Sequence, residues 1–184
     1  MKTHLSALIA ITAVICAPFA ARADDTISFS GSLSATTCTV TGSTGGSSFT
    51  VQMGSPSASN FQDPNSVGDE TPFSISLTGC TGGTATKARP FFSGTNINSA
   101  GTLDNTYDKA HGSGGATNIQ LALYDEPLDS VIRLNNTRTT QSLQTPSIAS
   151  GSATLLFAAR YVSPLGNAGV GGFETQVTYV IDYL

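Results

Sequence analysis

Read for apolar and polar positions, the chain is a succession of short segments that alternate with a period of two. The clearest is the last, Gly171 to Leu184, with the sequence GGFETQVTYVIDYL. Phe173, Thr175, Val177, Tyr179, Ile181 and Tyr183 share one face of an extended strand, and Glu174, Gln176, Thr178, Val180 and Asp182 share the other. Such a half-buried strand needs a hydrogen-bonding neighbour on each side, because an unpaired apolar edge is a template for another chain. No residues follow Leu184 to supply one, so the second neighbour is expected from elsewhere.

Earlier segments repeat the pattern. Between Asp24 and Thr37, Ile27, Phe29, Gly31, Leu33 and Ala35 alternate with serines. Taken by itself this is either an ordinary first strand in which Gly31 is a bulge, or a strand whose Gly31 marks close approach to another backbone. Cys38-Thr39-Val40 continues it and breaks at the Gly/Ser turn of Thr41 to Ser48. Phe49, Val51 and Met53 form a short alternation, and Ser55 to Thr71 reads as a polar connection around Phe61. Phe73, Ile75 and Leu77 predict a clean strand ending at Gly79-Cys80, and Ala85 to Ser93 a weaker one, near an edge or bend because of Pro90. Asn96 to Thr117 reads as loop with Leu103 and Tyr107 as anchors. Ile119, Leu121 and Leu123 predict a strand that pairs with Val131 to Leu134 across Asp125 to Asp129. Asn135 to Gly151 is a polar connection, Thr154 to Val162 another strand, and Pro164 to Gly172 a loop into the terminal segment. Short strands at this spacing, with no helix long enough for a βαβ unit and no internal repeat, predict an all-β, immunoglobulin-like antiparallel sandwich.

The first residues change the picture of what is exported. Lys2, the uncharged run Leu5 to Ala20 and Ala21-Arg22-Ala23 have the order of a secretory signal peptide at residues 1–23, cut after Ala23. The run is shorter than the ~20 residues that span a bilayer. Of the 8 Lys and Arg residues, Lys2 and Arg22 leave with the signal, so 6 face 12 Asp and Glu and the net charge moves from −4 to −6. A basic track for nucleic acid is absent. Cys16 also leaves, and a lipid anchor there is disfavoured by the bulky Ile15 before it. Cys38 and Cys80 remain, an even pair whose simplest state in an exported protein is a disulfide.

Candidate chemistry adds little. The mature chain keeps one histidine, His111, in a Gly/Ser-rich loop with no acidic or cysteine cluster beside it in sequence. Nucleophile-elbow, zincin, phosphate-loop and EF-hand patterns are missing, so neither catalytic nor metal-ligating residues are expected, no cofactor is implied, and the chain is read as a non-enzyme. Asp125, Glu126 and Asp129 lack calcium-ligand spacing and are read as decorating a hairpin turn. Asn135-Asn136-Thr137 fits the short glycosylation pattern.

Four pieces in order, TISFSGSLSATTCTV, PFSISLTGC, ATLLFAARYV and the ending with Gly171 fourteenth from the end and Tyr183 penultimate, resemble the fimbrial subunits (pilins) of the chaperone-usher pathway, type 1 fimbrial class. The resemblance spans the mature chain. It implies an immunoglobulin-like sandwich lacking its final strand (pilin domain, residues 38–184) preceded by a donor-strand extension (residues 24–37). It also implies that Ile27, Phe29, Gly31 and Leu33 are the inserted face, and that Gly171, Phe173, Val177, Tyr179, Ile181 and Tyr183 form the acceptor groove and the chaperone-binding strand. The partners implied are neighbouring subunits in a head-to-tail homopolymer, a periplasmic chaperone and an outer-membrane usher, and the destination is a fimbrium on the cell surface that supports adhesion. A minor adaptor or a subunit recognising a glycan through its loops is the alternative. The loops Ser55 to Thr71 and Asn96 to Thr117 carry no motif of that family.

Overall fold

A computed structural model describes residues 35–184; the expected signal peptide and the expected donor residues Ile27, Phe29, Gly31 and Leu33 lie outside the described residues. In chain order the strands are β1 (Thr37–Gly42), β2 (Ser66–Val67), β3 (Thr71–Thr81), β4 (Ala88–Ser93), β5 (Leu103–Asp104), β6 (Gln120–Asp125), β7 (Ser130–Val131), β8 (Ala153–Ser163) and β9 (Thr178–Tyr183). A 3-10 turn, Ala58–Phe61, and a short helix α1, Tyr107–His111, interrupt the loops. One sheet has the order β1-β3-β8-β6-β5, with β2 added to β8 and β7 to β6, and the other pairs β4 with β9. Every ladder between these strands is antiparallel.

The core follows from the alternation. Phe73, Ile75 and Leu77 of β3, Leu121 and Leu123 of β6, and Leu155, Phe157 and Ala159 of β8 point from the large sheet toward Ala88 and Phe92 of β4, all of them buried. Phe157 sits at the centre, with ring centroids 5.5 Å from Phe73 and, edge-on across the two sheets, 5.3 Å from Phe92. Cys38 and Cys80 form the expected disulfide and tie the end of β3 to the start of β1. In the chain-entropy account a loop of that size adds about 4 kcal/mol to stability.

Several expectations change in detail. Thr36, which the sequence places in the expected extension, is buried and donates its hydroxyl to the Gly82 carbonyl (2.9 Å), and Thr37 pairs with Thr81. Asn96 to Thr117 holds β5 and α1, and Leu103 is buried as its anchor. The Val131 hairpin forms, but its strand is only two residues long before Ile132 continues with one bond to the Leu123 carbonyl. Asp125 does not decorate a turn: it is fully buried and accepts from the backbone N–H of Gln144 (2.7 Å) and Leu128 (3.3 Å). It follows Leu121 and Leu123 on the inward face of β6, and burial pushes its carboxyl above the usual range against the opposing pull of those N–H groups.

The polar connection after Asn135 has a structural task. Gln141, 2% exposed, donates its amide to the Phe92 carbonyl (3.2 Å) and accepts from the Phe92 N–H (2.9 Å), standing in for a strand beside β4. Gln144 does the same for Leu156 of β8, donating at 2.6 Å and accepting at 3.2 Å. Three residues apart, the two glutamines join one segment to both sheets.

Candidate functional site

The terminal segment keeps the predicted alternation as far as Ile181: Phe173, Thr175, Val177, Tyr179, Ile181 and also Tyr183 are half-buried, and Glu174, Gln176, Thr178 and Val180 are exposed, while Asp182 on the outer face is half-buried. Its pairing is shorter than its pattern. Only Thr178–Tyr183 forms a ladder, from Ser93↔Thr178 to Ala88↔Tyr183. The first half is held instead by the loop carrying α1. Gly172 exchanges bonds with Ala116 N–H and Gly114 carbonyl (both 2.8 Å), and the Glu174 carbonyl accepts from Thr106 N–H (2.7 Å) while its N–H donates to Asn105 Oδ1 (3.1 Å). Gly171 lies against the backbone of Gly114 to Ala116, where a Cβ would collide, which accounts for a glycine there.

These bonds fix which edge is free. The N–H and C=O of Phe92 both turn to Gln141 and Pro90 has no N–H, so the β4 to β9 bonds run through Arg89, Phe91 and Ser93 to Asp182, Val180 and Thr178. Successive residues of an extended chain direct their backbone groups to opposite edges. Phe173, Thr175, Val177, Tyr179, Ile181 and Tyr183 therefore present N–H and C=O to the other edge, and among the described residues no strand pairs with them there.

Facing that edge is a second extended segment. Phe49, Val51 and Met53 are half-buried and alternate with exposed Thr50, Gln52 and Gly54, yet this stretch forms no ladder among the described residues. Between the two walls runs a groove of about 1400 Å³ whose floor includes Phe73, Ile75, Phe92, Leu121, Leu123 and Tyr161. Phe173 packs edge-on to Tyr161 at 5.0 Å, and Phe49 approaches Tyr179 at 6.3 Å. The Tyr179 phenol donates to the Ser47 carbonyl at 2.6 Å, linking the walls near one end. Burial raises the phenol pKa of both Tyr161 and Tyr179. The groove is thus apolar in its floor and lined on two sides by backbone edges, the two requirements for taking in a strand.

All six groove residues expected from the sequence, Gly171, Phe173, Val177, Tyr179, Ile181 and Tyr183, line this one groove. The wall Phe49 to Met53 was not assigned to it from sequence, although its alternation was visible; nothing in the pattern says that a strand lacks a partner. Charges lie on the opposite face of the small sheet. Arg89 (3.3 Å) and Arg138 both pair with Asp182, and the Arg138 guanidinium lies 5.7 Å over the Phe91 ring. Arg138 above all holds the Asp182 carboxyl below its usual pKa. His111 is paired rather than merely solvated: its Nε2 lies 3.0 Å from Glu174 Oε2 and its ring stacks on Tyr107, binding α1 to the terminal segment. Asn135 donates its amide to the Ser99 carbonyl (2.8 Å), which gives that residue a packing role.

Comparisons with known proteins agree with this geometry. The family model described as fimbrial protein matches residues 27–184. The chain is 32% identical to the F17 fimbrial protein of Escherichia coli, covering 87% of each chain. It is 27% identical to long polar fimbria protein A of Salmonella typhimurium, over 100% of this chain and 97% of that one. In fold it is similar to the P pilus rod subunit PapA, with a TM-score of 0.58 at 18% identity, covering 80% of this chain and 99% of the other. The chain belongs to the fimbrial protein family and is a pilus subunit.

Proposed function

We propose that this subunit polymerises by donor-strand exchange, the extension that begins at Asp24 in one copy entering the groove of the next. The observation that carries this reading is the pair of facing extended walls, Phe49 to Met53 and Phe173 to Tyr183, with no ladder between them and an apolar floor beneath. An added strand would satisfy both backbone edges while Ile27, Phe29 and Leu33 bury their side chains and Gly31 passes where the groove leaves least room. Each large side chain so buried contributes ~1.5–3 kcal/mol, and several together make a joint that rarely dissociates. Because donor and acceptor surfaces differ, the contact is head-to-tail and builds an open filament.

Before assembly the same edge is what a periplasmic chaperone would cover, and an outer-membrane usher would pass subunits to a fibre that supports adhesion at the cell surface. The role is structural, not catalytic. The decisive test is removal of residues 24–34 from the mature chain. A folded, chaperone-bound subunit that accepts a donor but cannot serve as one is the expected result, and fibres of normal length would overturn the donor assignment. Gly31→Arg should block insertion while leaving the chaperone complex intact; equal loss of both would mean a folding defect instead.

A further inference from the structure

Two of the most exposed apolar side chains among the described residues lie beside one end of the groove. Val170, 87% exposed, lines its mouth next to Gly171, and Leu165, 72% exposed, stands on the same loop ahead of Phe173. Gly166 is pressed against the backbone of Gln62 to Pro64, Asn167 N–H donates to the Gln62 carbonyl (3.0 Å) and Ala168 N–H to the Phe61 carbonyl (3.2 Å), so the loop is a fixed ledge. Nothing on it requires a valine or leucine for the packing of its own subunit.

Given the strand-insertion reading, chain continuity states what sits there. Only Ser34 and Ala35 separate Leu33 from Thr36, which is already anchored to Gly82 in the body of the donor subunit. Spanned at ~3.5 Å per residue, that link is about 10 Å long, so the donor body must abut the acceptor where the strand leaves the groove. The groove has two ends. At Tyr183 the ladder continues into the charged Lys87 and the half-exposed Leu184. At Phe173 the margin is the apolar ledge. A strand inserted antiparallel to β9, like every other ladder of the fold, leaves the groove at the Phe173 end. The donor body presents uncharged residues near Thr36: the small Thr81 to Thr86 at one turn and Ser147 to Ser152 at the next, joined by the Cys80 to Gly151 bond.

We infer that Val170 and Leu165 form a second subunit contact, seating the uncharged Thr81 to Thr86 end of the neighbouring copy whose extension fills the groove. The inference rests on the donor-strand reading, and its test separates the two. In the full mature chain, Leu165→Asp, which lies outside the groove lining, is compared with wild type for binding of a synthetic peptide of residues 24–34, and Leu165→Asp and Val170→Asp are compared with wild type for the rate at which assembled fibres dissociate in denaturant. Peptide binding is expected to stay within about twofold, while fibre dissociation rises about tenfold or more per substitution, as when one buried aliphatic contact is lost. Normal peptide binding with unaltered fibres overturns the second contact alone. A wild-type chain that binds no peptide overturns the strand reading and this inference with it, and parallel loss of peptide and fibre in Leu165→Asp would assign Leu165 to the groove itself and overturn the second contact. A second measurement avoids any effect on folding: Val170→Cys with Thr84→Cys should cross-link fibres into covalent ladders under mild oxidation, and their absence would place the neighbouring body elsewhere.

Discussion

Asp125 and Asp182 are both carboxylates of strands, and their surroundings drive them in opposite directions. Asp182 is held ionised by Arg138 and Arg89, so its folded pKa lies below the unfolded one. Its contribution to stability is present above the ordinary carboxylate pKa and is lost as pH falls through the lowered value. Asp125 is raised by burial, so its contribution is present at low pH and lost as pH rises through the raised value. Asp182→Asn is expected to destabilise the subunit by about 1 kcal/mol near neutral pH, a deficit that shrinks on acidification. The deficit of Asp125→Asn should instead shrink as pH rises. Urea unfolding of both variants across the acid range checks the two signs, and deficits that move together would refute the assignment. Asp125 was legible in part from the sequence, since it falls in phase with Leu121 and Leu123; its place among the turn acids Glu126 and Asp129 concealed that. Gln141 and Gln144 gave no such sign, because two amides three residues apart in a polar stretch look the same whether solvated or bonded to Phe92 and Leu156.

Among elements, the terminal strand is divided into a half tied to β4 and a half tied to the α1 loop. Its side-chain phase was legible because period-two burial needs only the strand itself. Where its ladder ends was not, because that depends on Asn105, Thr106 and Gly114 to Ala116 reaching Gly172 and Glu174 from a stretch that reads as loop. Gly171→Ala is therefore expected to loosen the first half, costing about 1–3 kcal/mol as an overpacked site does, with hydrogen exchange rising at Gly172 to Thr175 before β9. Gln141→Leu removes both partners of Phe92 and should cost about 2–4 kcal/mol in urea unfolding, since two buried backbone groups lose their bonds. A loss under 1 kcal/mol would show that water replaces the amide.

For the whole molecule, the architecture was legible from strand spacing and turn residues, and so was the disulfide, read from the two cysteines that remain beyond the expected signal peptide. Cys38→Ser with Cys80→Ser should lower stability by about 4 kcal/mol if loop closure dominates, measured against the same chain under non-reducing conditions. The groove itself was legible on one wall only.

The pairing of Gln141 with Phe92 also sets a valence. A two-stranded sheet has two edges, and if both accepted strands each subunit could take two donors while giving one, which yields branched material. A side chain and Pro90 close the β4 edge, leaving β9 with the only long edge of that sheet free among the described residues. Under the strand-insertion proposal, one acceptor and one donor per subunit allow a thread and forbid a network, so the amide of Gln141, bonded to the backbone of the floor residue Phe92, would keep the fibre unbranched.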